Sequence, residues 1–391
     1  MTLHNKNKKR LGLYLRDISQ AYVQSRTPLA RDFFPRPPPE LGLEAGTILK
    51  IVCPLYGLPE AGNHLFQTYH RHHREKLGMA QSTYDPCLLF TPGSPENKQT
   101  TGFGVVGMQT DDTLLLADSA FAEVEENKLR KAQFLSKERE RLTVENPIKF
   151  NGGQLTMKEN SLELTQERHC QNLGAVLHEA INLTSSHGVI RKSVLPKGQY
   201  IAQRARGAYI ATVCQPEAAY DLSTAAHVTS PTEQDEKKLN KRLKWQSDNA
   251  SRGLRSVPLK TEASLRLIVF TDASFANNAD LSSQIGYVIA LADMENNANI
   301  LHWSSTKCKR VTHSVLASEL YGIVNGFDIG GAIKETIEGI MRIDNLPLIL
   351  CTDSKSLYEC LVKLGTTQEK HLMIDILSLR QSYCWPEKGS Q

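Results

Sequence analysis

Six acidic residues stand where short apolar runs end, turn or become helical. Asp17 closes the alternating run Leu11 to Arg16. Asp111 and Asp112 sit side by side between Gly104 to Met108 and Thr113 to Ala117. Asp272 follows the apolar run Leu265 to Phe270, Glu319 falls inside a helical pattern, and Asp353 follows Leu346 to Thr352. Carboxylate oxygens are hard ligands suited to Mg²⁺. Two such ions about 3.5–4 Å apart can activate a hydroxyl and stabilise a leaving pyrophosphate. Each residue also has a plainer explanation. An Asp-Asp pair is a common polar hairpin turn, an Asp after a strand is a cap or turn residue, and Glu319 alone is a surface helix charge.

The elements that would have to position these groups can be read from the pattern. Leu11 to Arg16 alternates as a strand does. Pro35 to Pro39 excludes helix or central strand there, and Ala61 to Leu77 reads as a helix. Gly104 to Met108 and Thr113 to Ala117 read as a strand pair with both aspartates in the tight turn. Phe121, Val124, Leu129, Ala132, Leu135 and Leu142 mark one amphipathic helix, whose other face carries Glu126, Arg130, Lys131, Glu138 and Arg139 at helical pair spacings. Asn151-Gly152-Gly153 is a hairpin turn signal. The stretch from Thr165 to Thr261 is less informative; its charged part, Ser230 to Ser256, reads as an exposed helix and linker. From about Ala263 the order is strand, strand (Ile285 to Leu291), strand (Ile300 to Trp303), helix (Ser314 to Gly326), helix (Ile329 to Met341), strand, helix. That is a mixed α/β domain.

The chain has 391 residues and a formal net charge of +4, so global charge does not announce a polyanion binder. Its distribution says more: residues 1–110 hold 13 Lys/Arg against 8 Asp/Glu, and Lys6, Lys8, Lys9 and Arg10 form a basic run. That run is a solvated tail unless a polymer site lies near it. The eight cysteines include no C-x-x-C pair, which excludes a zinc ribbon or thioredoxin-type motif. No apolar run reaches the roughly 18 residues of a membrane span, and no h-region follows the basic start. The expectation is an intracellular protein with free thiols, not secreted. His64, His70, His72 and His73 share a predicted helix with Arg71, Arg74 and Lys76. This reads as a polar face, or a surface near phosphate, rather than a zinc site. Trp245 and Trp303 read as packing aromatics and Asp118 as a turn residue.

Four segments in order are more specific than any one of them: Asp17-Ile18-Ser19-Gln20-Ala21-Tyr22, Pro54 through Gly62, Tyr84 through Leu89, and Gln109-Thr110-Asp111-Asp112. The series resembles the palm of copia-type long-terminal-repeat retrotransposon reverse transcriptases. Thr271-Asp272-Ala273-Ser274, Ser318-Glu319-Leu320-Tyr321 and Thr352-Asp353-Ser354 look like the ribonuclease H domain of the same elements. The resemblance implies an α+β, mixed α/β architecture. It divides the chain into a partial palm at 1–164, a thumb- or connection-like region with linker at 165–262, and a ribonuclease H-like domain at 263–391. It implies RNA-directed DNA polymerisation and RNA–DNA hybrid hydrolysis by two-metal phosphoryl transfer. Asp17, Asp111 and Asp112 would hold one pair of Mg²⁺ ions, and Asp272, Glu319 and Asp353 a second pair, with Mn²⁺ as the substitute metal. Tyr22 would be the steric gate beneath the incoming sugar, or else an ordinary packed aromatic. The Leu55 to Gly62 segment would position template and nucleotide. The implied partners are an RNA template, a DNA primer, an RNA–DNA hybrid and deoxynucleoside triphosphates, with no membrane; the location would be cytoplasm, virus-like particle or nucleus.

The sequence also departs from the pattern. Many reverse transcriptases carry an aromatic residue two places before the paired aspartates, where this chain has Gln109. Only 16 residues precede Asp17, so the resemblance implies a palm largely lacking its fingers. No counterpart of the family's last ribonuclease carboxylate follows Asp353, and Asp375 is a poor substitute. These features lead to the expectation of a truncated polyprotein piece with impaired activity. The alternative is a catalytically inactive nucleic-acid-binding remnant.

Overall fold

A computed structural model describes residues 3–4, 10–25, 27–93, 102–184, 190–261, 264–363, 367 and 369–382. The basic residues Lys6, Lys8 and Lys9 and the closing segment from Cys384 lie outside the described residues. The chain divides into two units. The first comprises Met1–Asn151, Leu155–Glu159 and Glu335–Asp344; the second comprises Gly152–Gln154, Asn160–Lys334 and Asn345–Gln391. Both mix helices with sheets built mainly of antiparallel pairs, with one parallel pair between Arg266–Ser274 and Leu348–Cys351.

The first unit is a sheet backed by helices. Its elements are β1 (Arg10–Asp17), α1 (Ala61–Leu77), β2 (Leu88–Phe90), β3 (Gly104–Gln109), β4 (Asp112–Ala117), α2 (Ser119–Lys131) and β5 (Glu140–Arg141). The strand order β1-β4-β3-β2 is extended by Leu3–His4 beside β1 and Ala80–Gln81 beside β2, and β5 also pairs with β1. Alternation along β3 and β4 turns Val106, Met108, Leu115 and Ala117 onto Leu65, Tyr69, Leu77, Phe121 and Leu129 of the helices. Gly104 permits this approach, because a Cβ there would lie 2.3 Å from the Phe121 ring.

Helix α2 is shorter than its apolar pattern predicts. Asp118 caps its start by accepting from the Phe121 N–H at 2.9 Å. The helix stops at Lys131, and Gln133 takes a left-handed φ of 60°. Leu135 and Leu142 therefore belong to a returning segment, not to the helix. Leu142 is buried beside β1, where its N–H donates to the Leu13 carbonyl at 2.9 Å, while Leu135 is exposed. The 3.6-residue spacing of those leucines is coincidental.

The second unit holds β6 (Ser161–Thr165), α3 (Pro196–Val213), α4 (Ala219–Ala226), α5 (Glu233–Asp248) and β7 (Leu254–Ser256). After them come β8 (Arg266–Ser274), β9 (Gln284–Ala292), β10 (Ala298–Lys307), α6 (Val315–Met341, whose end from Glu335 belongs to the first unit), β11 (Leu348–Cys351), α7 (Lys355–Val362) and α8 (Leu372–Ser382). Helix α5 opens with a reciprocal capping box between Thr232 and Asp235. It is less exposed than its charge suggests: Leu239 and Leu243 are buried with Tyr200, Ala211 and Leu222. The sheet order is β10-β9-β8-β11, with β11 parallel to β8. Leu372, Ile376 and Leu379 bury one face of α8 against Leu320, Ile323 and Leu357.

The two helices predicted between Ser314 and Met341 are one continuous helix of 27 residues. The glycines near its centre do not break it. They allow it to lie close on the sheet: a Cβ on Gly326 would meet Val269 and Thr271 at 2.9 Å. No described helix is long and apolar enough to cross a membrane.

Candidate metal centres

Strand register brings the first carboxylate set to one edge of the first unit. Asp17, the last residue of β1, lies opposite Asp112, the first residue of β4. The Ile18 N–H donates to the Asp111 carbonyl at 2.9 Å. The β3–β4 turn consists of Thr110 and Asp111, so Asp112 opens the strand rather than sharing the turn. Thr110 adopts a left-handed φ of 49°, unfavourable for a β-branched residue, and its hydroxyl donates to the Asp111 carboxylate at 3.0 Å.

The electrostatics of this edge are those of crowded like charges. Burial, then the Asp111 and Asp17 carboxylates, push the Asp112 carboxyl above its ordinary value, with Lys137 opposing. Lys137 is a residue that sequence reasoning missed. Its ammonium donates to Asp17 Oδ2 at 2.8 Å, and its backbone N–H donates to the Asp17 carbonyl at 3.0 Å. The three aspartates do not converge tightly. Among the described residues, only Asp272, Glu319 and Asp353 form a set whose ligand atoms all lie within 4.8 Å of one another.

Tyr22 sits in a short 3-10 helix, Ala21–Gln24, and is half-buried against the core. Its ring contacts that of Tyr56, with centroids 4.5 Å apart. Tyr56 belongs to the Leu55 to Gly62 segment, which turns at Gly57 (φ 93°) before α1 begins. The Leu55 to Gly62 segment and the tyrosine five residues after Asp17 are thus in direct contact.

Behind β1 lies a buried ionic cluster that was also missed. Arg16 grips both Glu125 oxygens, one at 2.7 Å, and its guanidinium also donates to Glu126 at 2.7 Å. His73 Nε2 lies 3.7 Å from Glu125, and both side chains are fully buried. Burial alone would raise the Glu125 carboxyl; His73 and Arg16 overturn this and hold it below its ordinary value. The available signal was Arg16 itself, a permanent charge inside an apolar alternating strand, which demands a buried partner.

In the second unit the three acidic residues come from three elements. Asp272 lies in β8 opposite Gly286 of β9, Glu319 is on α6 near its start, and Asp353 follows β11. Strand β8 runs on past Asp272 to Ser274, so this residue is within the strand rather than at its end. Gly322 brings the helix near the strand: a Cβ there would sit 3.6 Å from the Asp272 carbonyl. Glu319 is only 6% exposed, whereas its two companions face solvent. Its Oε2 is buried without a hydrogen-bond partner. Burial, then Asp272 and Asp353, push its carboxyl up to about 7. A buried, crowded, unsatisfied carboxylate is an arrangement that a divalent cation would relieve. Asp375 is committed elsewhere, paired with Arg310 at 3.1 Å.

The remaining candidates have structural roles. His64 bonds Thr27 at 2.6 Å, and His73 Nδ1 meets the Tyr69 carbonyl at 3.0 Å. His70 packs on Phe66, with ring centroids 4.9 Å apart. The Trp303 N–H donates to the Ala211 carbonyl at 2.9 Å, and Trp245 lies beneath Arg242 and Arg252.

No protein-family model matches the chain. Among curated proteins it is similar to the Transposon Ty1-GR3 and Ty1-OR Gag-Pol polyproteins of Saccharomyces cerevisiae strain S288c. Each is 22% identical over 370 residues, covering 87% of this chain. The Transposon TyH3 Gag-Pol polyprotein of the same species matches at 22% over the same span. The chain covers 20% of the length of these polyproteins. Among solved structures, the foamy viral protease-reverse transcriptase in complex with RNA/DNA hybrid superposes with a TM-score of 0.49 at 9% identity, covering 94% of this chain and 42% of that one.

Proposed function

The chain is a relative of the copia-type Ty1 Gag-Pol polyproteins, and from that premise we propose that it is the reverse transcriptase and ribonuclease H region of such an element. In this reading residues 1–164 act as palm, 165–262 as connection and 263–391 as ribonuclease H domain. The first region extends a DNA primer on an RNA template, and the last cleaves the RNA of the resulting hybrid. The observation that carries the proposal is the Asp272–Glu319–Asp353 cluster, with ligand atoms within 4.8 Å of one another and a buried, unpartnered Glu319 oxygen.

Asp272, Glu319 and Asp353 would hold one pair of Mg²⁺ ions, and Asp17, Asp111 and Asp112 another. Bound there, the ions supply charge neutralisation at the phosphorus and an acidified water or hydroxyl. The chain's own contribution is positional. The β1–β4 register fixes Asp17 against Asp112, and Glu319 is held rigidly by a helix packed on the strand bearing Asp272. Tyr22, braced by Tyr56, would lie under the sugar of an incoming deoxynucleoside triphosphate and disfavour a 2′-hydroxyl.

The test uses the whole chain with Mg²⁺ on two substrates. Primer extension on RNA should vanish with Asp111→Asn and survive Asp272→Asn, while hydrolysis of a pre-formed RNA–DNA hybrid should show the reverse. Folded wild-type protein that does neither would overturn the reading. A second reading, a non-catalytic nucleic-acid-binding remnant, is favoured by one feature: the Asp17 carboxylate is engaged by Lys137. Hybrid binding without extension or cleavage would be its outcome.

A further inference from the structure

Helices α1 and α2 flank a groove of about 460 Å³ in the first unit. Arg71 and Lys76 line it from α1, and Lys128 and Lys131 from α2. Among the described residues none of these four cations forms an ion pair, whereas Arg31, Lys50, Arg130, Lys137 and Arg139 of this unit do. One carboxylate, Glu75, also lines the groove, which leaves an excess of positive charge. Like charges gathered in a concavity repel one another and focus a positive potential outward. Such an arrangement costs stability unless an anion offsets it.

Two further features narrow the ligand. His72 lines the groove, and its Nε2 is buried without a hydrogen-bond partner. Burial, then the neighbouring His73, depress this imidazole to about 4, so it is neutral at pH 7. A neutral imidazole adds an uncharged ring, not a further cation, to the groove wall. Phe134 also lines the groove, edge-on to His72 with ring centroids 5.3 Å apart. Cations along both banks with aromatic surface between them are the combination that holds single-stranded nucleic acid, where phosphates meet the cations and bases stack. Lys76 is five positions after Arg71, about 7.5 Å along the helix axis, so the α1 bank alone offers cations at two points along a strand.

We propose that the α1–α2 groove is an accessory single-stranded nucleic-acid site, distinct from both carboxylate centres and independent of any metal there. Arg71, Lys76, Lys128 and Lys131 contact phosphates, and Phe134 with His72 supplies the stacking surface.

The experiment measures fluorescence anisotropy of a labelled 15-mer oligothymidylate with the whole chain in EDTA, from 50 to 300 mM NaCl. EDTA removes any contribution from metal-dependent chemistry, so failure here and failure of the polymerase reading are separable. The quadruple variant Arg71→Gln, Lys76→Gln, Lys128→Gln, Lys131→Gln should lose at least tenfold in affinity at the lowest salt. Its log K against log salt slope should be shallower by about 3, from roughly 0.7 per neutralised phosphate on a single strand. Phe134→Leu should weaken binding with the salt slope unchanged. Should the quadruple variant not fold, Lys76→Gln with Lys131→Gln should give about half the change in slope. Equal affinity and slope in a folded variant would overturn the proposal. So would displacement of the oligonucleotide from the wild type by poly-L-glutamate at lower concentration than by unlabelled oligothymidylate, which would identify an acidic polypeptide site instead.

Discussion

Arg16 and Asp17 are adjacent in β1, so their side chains leave opposite faces of the strand. Asp17 goes to the candidate metal edge, and Arg16 goes to Glu125 on the helix behind it. Removing one partner of a buried ion pair strands the other charge, at a cost of about 3–5 kcal/mol. Arg16→Met should therefore lower stability by that amount in urea titration, and Arg16→Met with Glu125→Leu should recover much of it. An additive double variant would show that the two residues do not act as a pair. Glu319 behaves in the opposite sense. Its folded carboxyl stands at about 7 against an ordinary 4.5, so ionisation costs stability. The penalty is small below the ordinary value, grows with pH and is complete above 7. In EDTA, Glu319→Gln should raise the melting temperature by roughly 3–6 °C at pH 8 and much less at pH 5. A pH-independent difference would rule this out. Neither partner of Arg16 nor that of Asp17 was legible in the sequence, because Glu125 and Lys137 are 109 and 120 residues away and distant charge pairs leave no local periodicity.

Among the elements, the strand pattern was the easiest to read. Short runs of period two ended at Asp17 and at Asp111, and the structure pairs those runs in one sheet. Helix ends were harder. Gln133 stops α2 by adopting a left-handed conformation that its side chain does not advertise. Glycines misled in α6, where they mark close packing rather than a break. The two kinds of glycine should separate by mutation. Gly331 has open space where a Cβ would go, so Gly331→Ala should stabilise by about 0.5–1 kcal/mol. Gly326→Ala drives a methyl into Val269 and Thr271 and should cost about 1–3 kcal/mol, as overpacking does. Chemical denaturation of both variants checks the contrast; equal effects would mean the helix can shift away from the sheet.

At the scale of the whole molecule, the two units carry opposed acid responses. Glu125 is held below its ordinary value, so its contribution to the first unit is present at neutral pH. It is lost as pH falls through that depressed value, below about 4.5. The second unit, metal-free, should gain stability between pH 8 and pH 5 as Glu319 takes up its proton. Scanning calorimetry in EDTA should therefore resolve a transition that rises on mild acidification and another that falls on stronger acidification. Transitions that moved together throughout would argue against this assignment. The ordered motifs made both acidic sets visible in the sequence. The groove between α1 and α2 was only half visible: one bank, with His72, Arg71 and Lys76, stood out as a basic histidine-rich helix. Its other bank, on α2, read as an ordinary charged face, since which two helices lie side by side is a tertiary fact.

Thr110 holds the turn before Asp111 in a conformation that glycine would adopt freely. A β-branched residue there stores on the order of 1–3 kcal/mol. Its hydroxyl, bonded to the Asp111 carboxylate, is what a glycine would give up. A laboratory selection for heat tolerance would thus enrich Thr110→Gly, and, on the proposed polymerase reading, a selection for turnover would purge it. The two survivor pools would diverge at a codon next to the candidate metal edge.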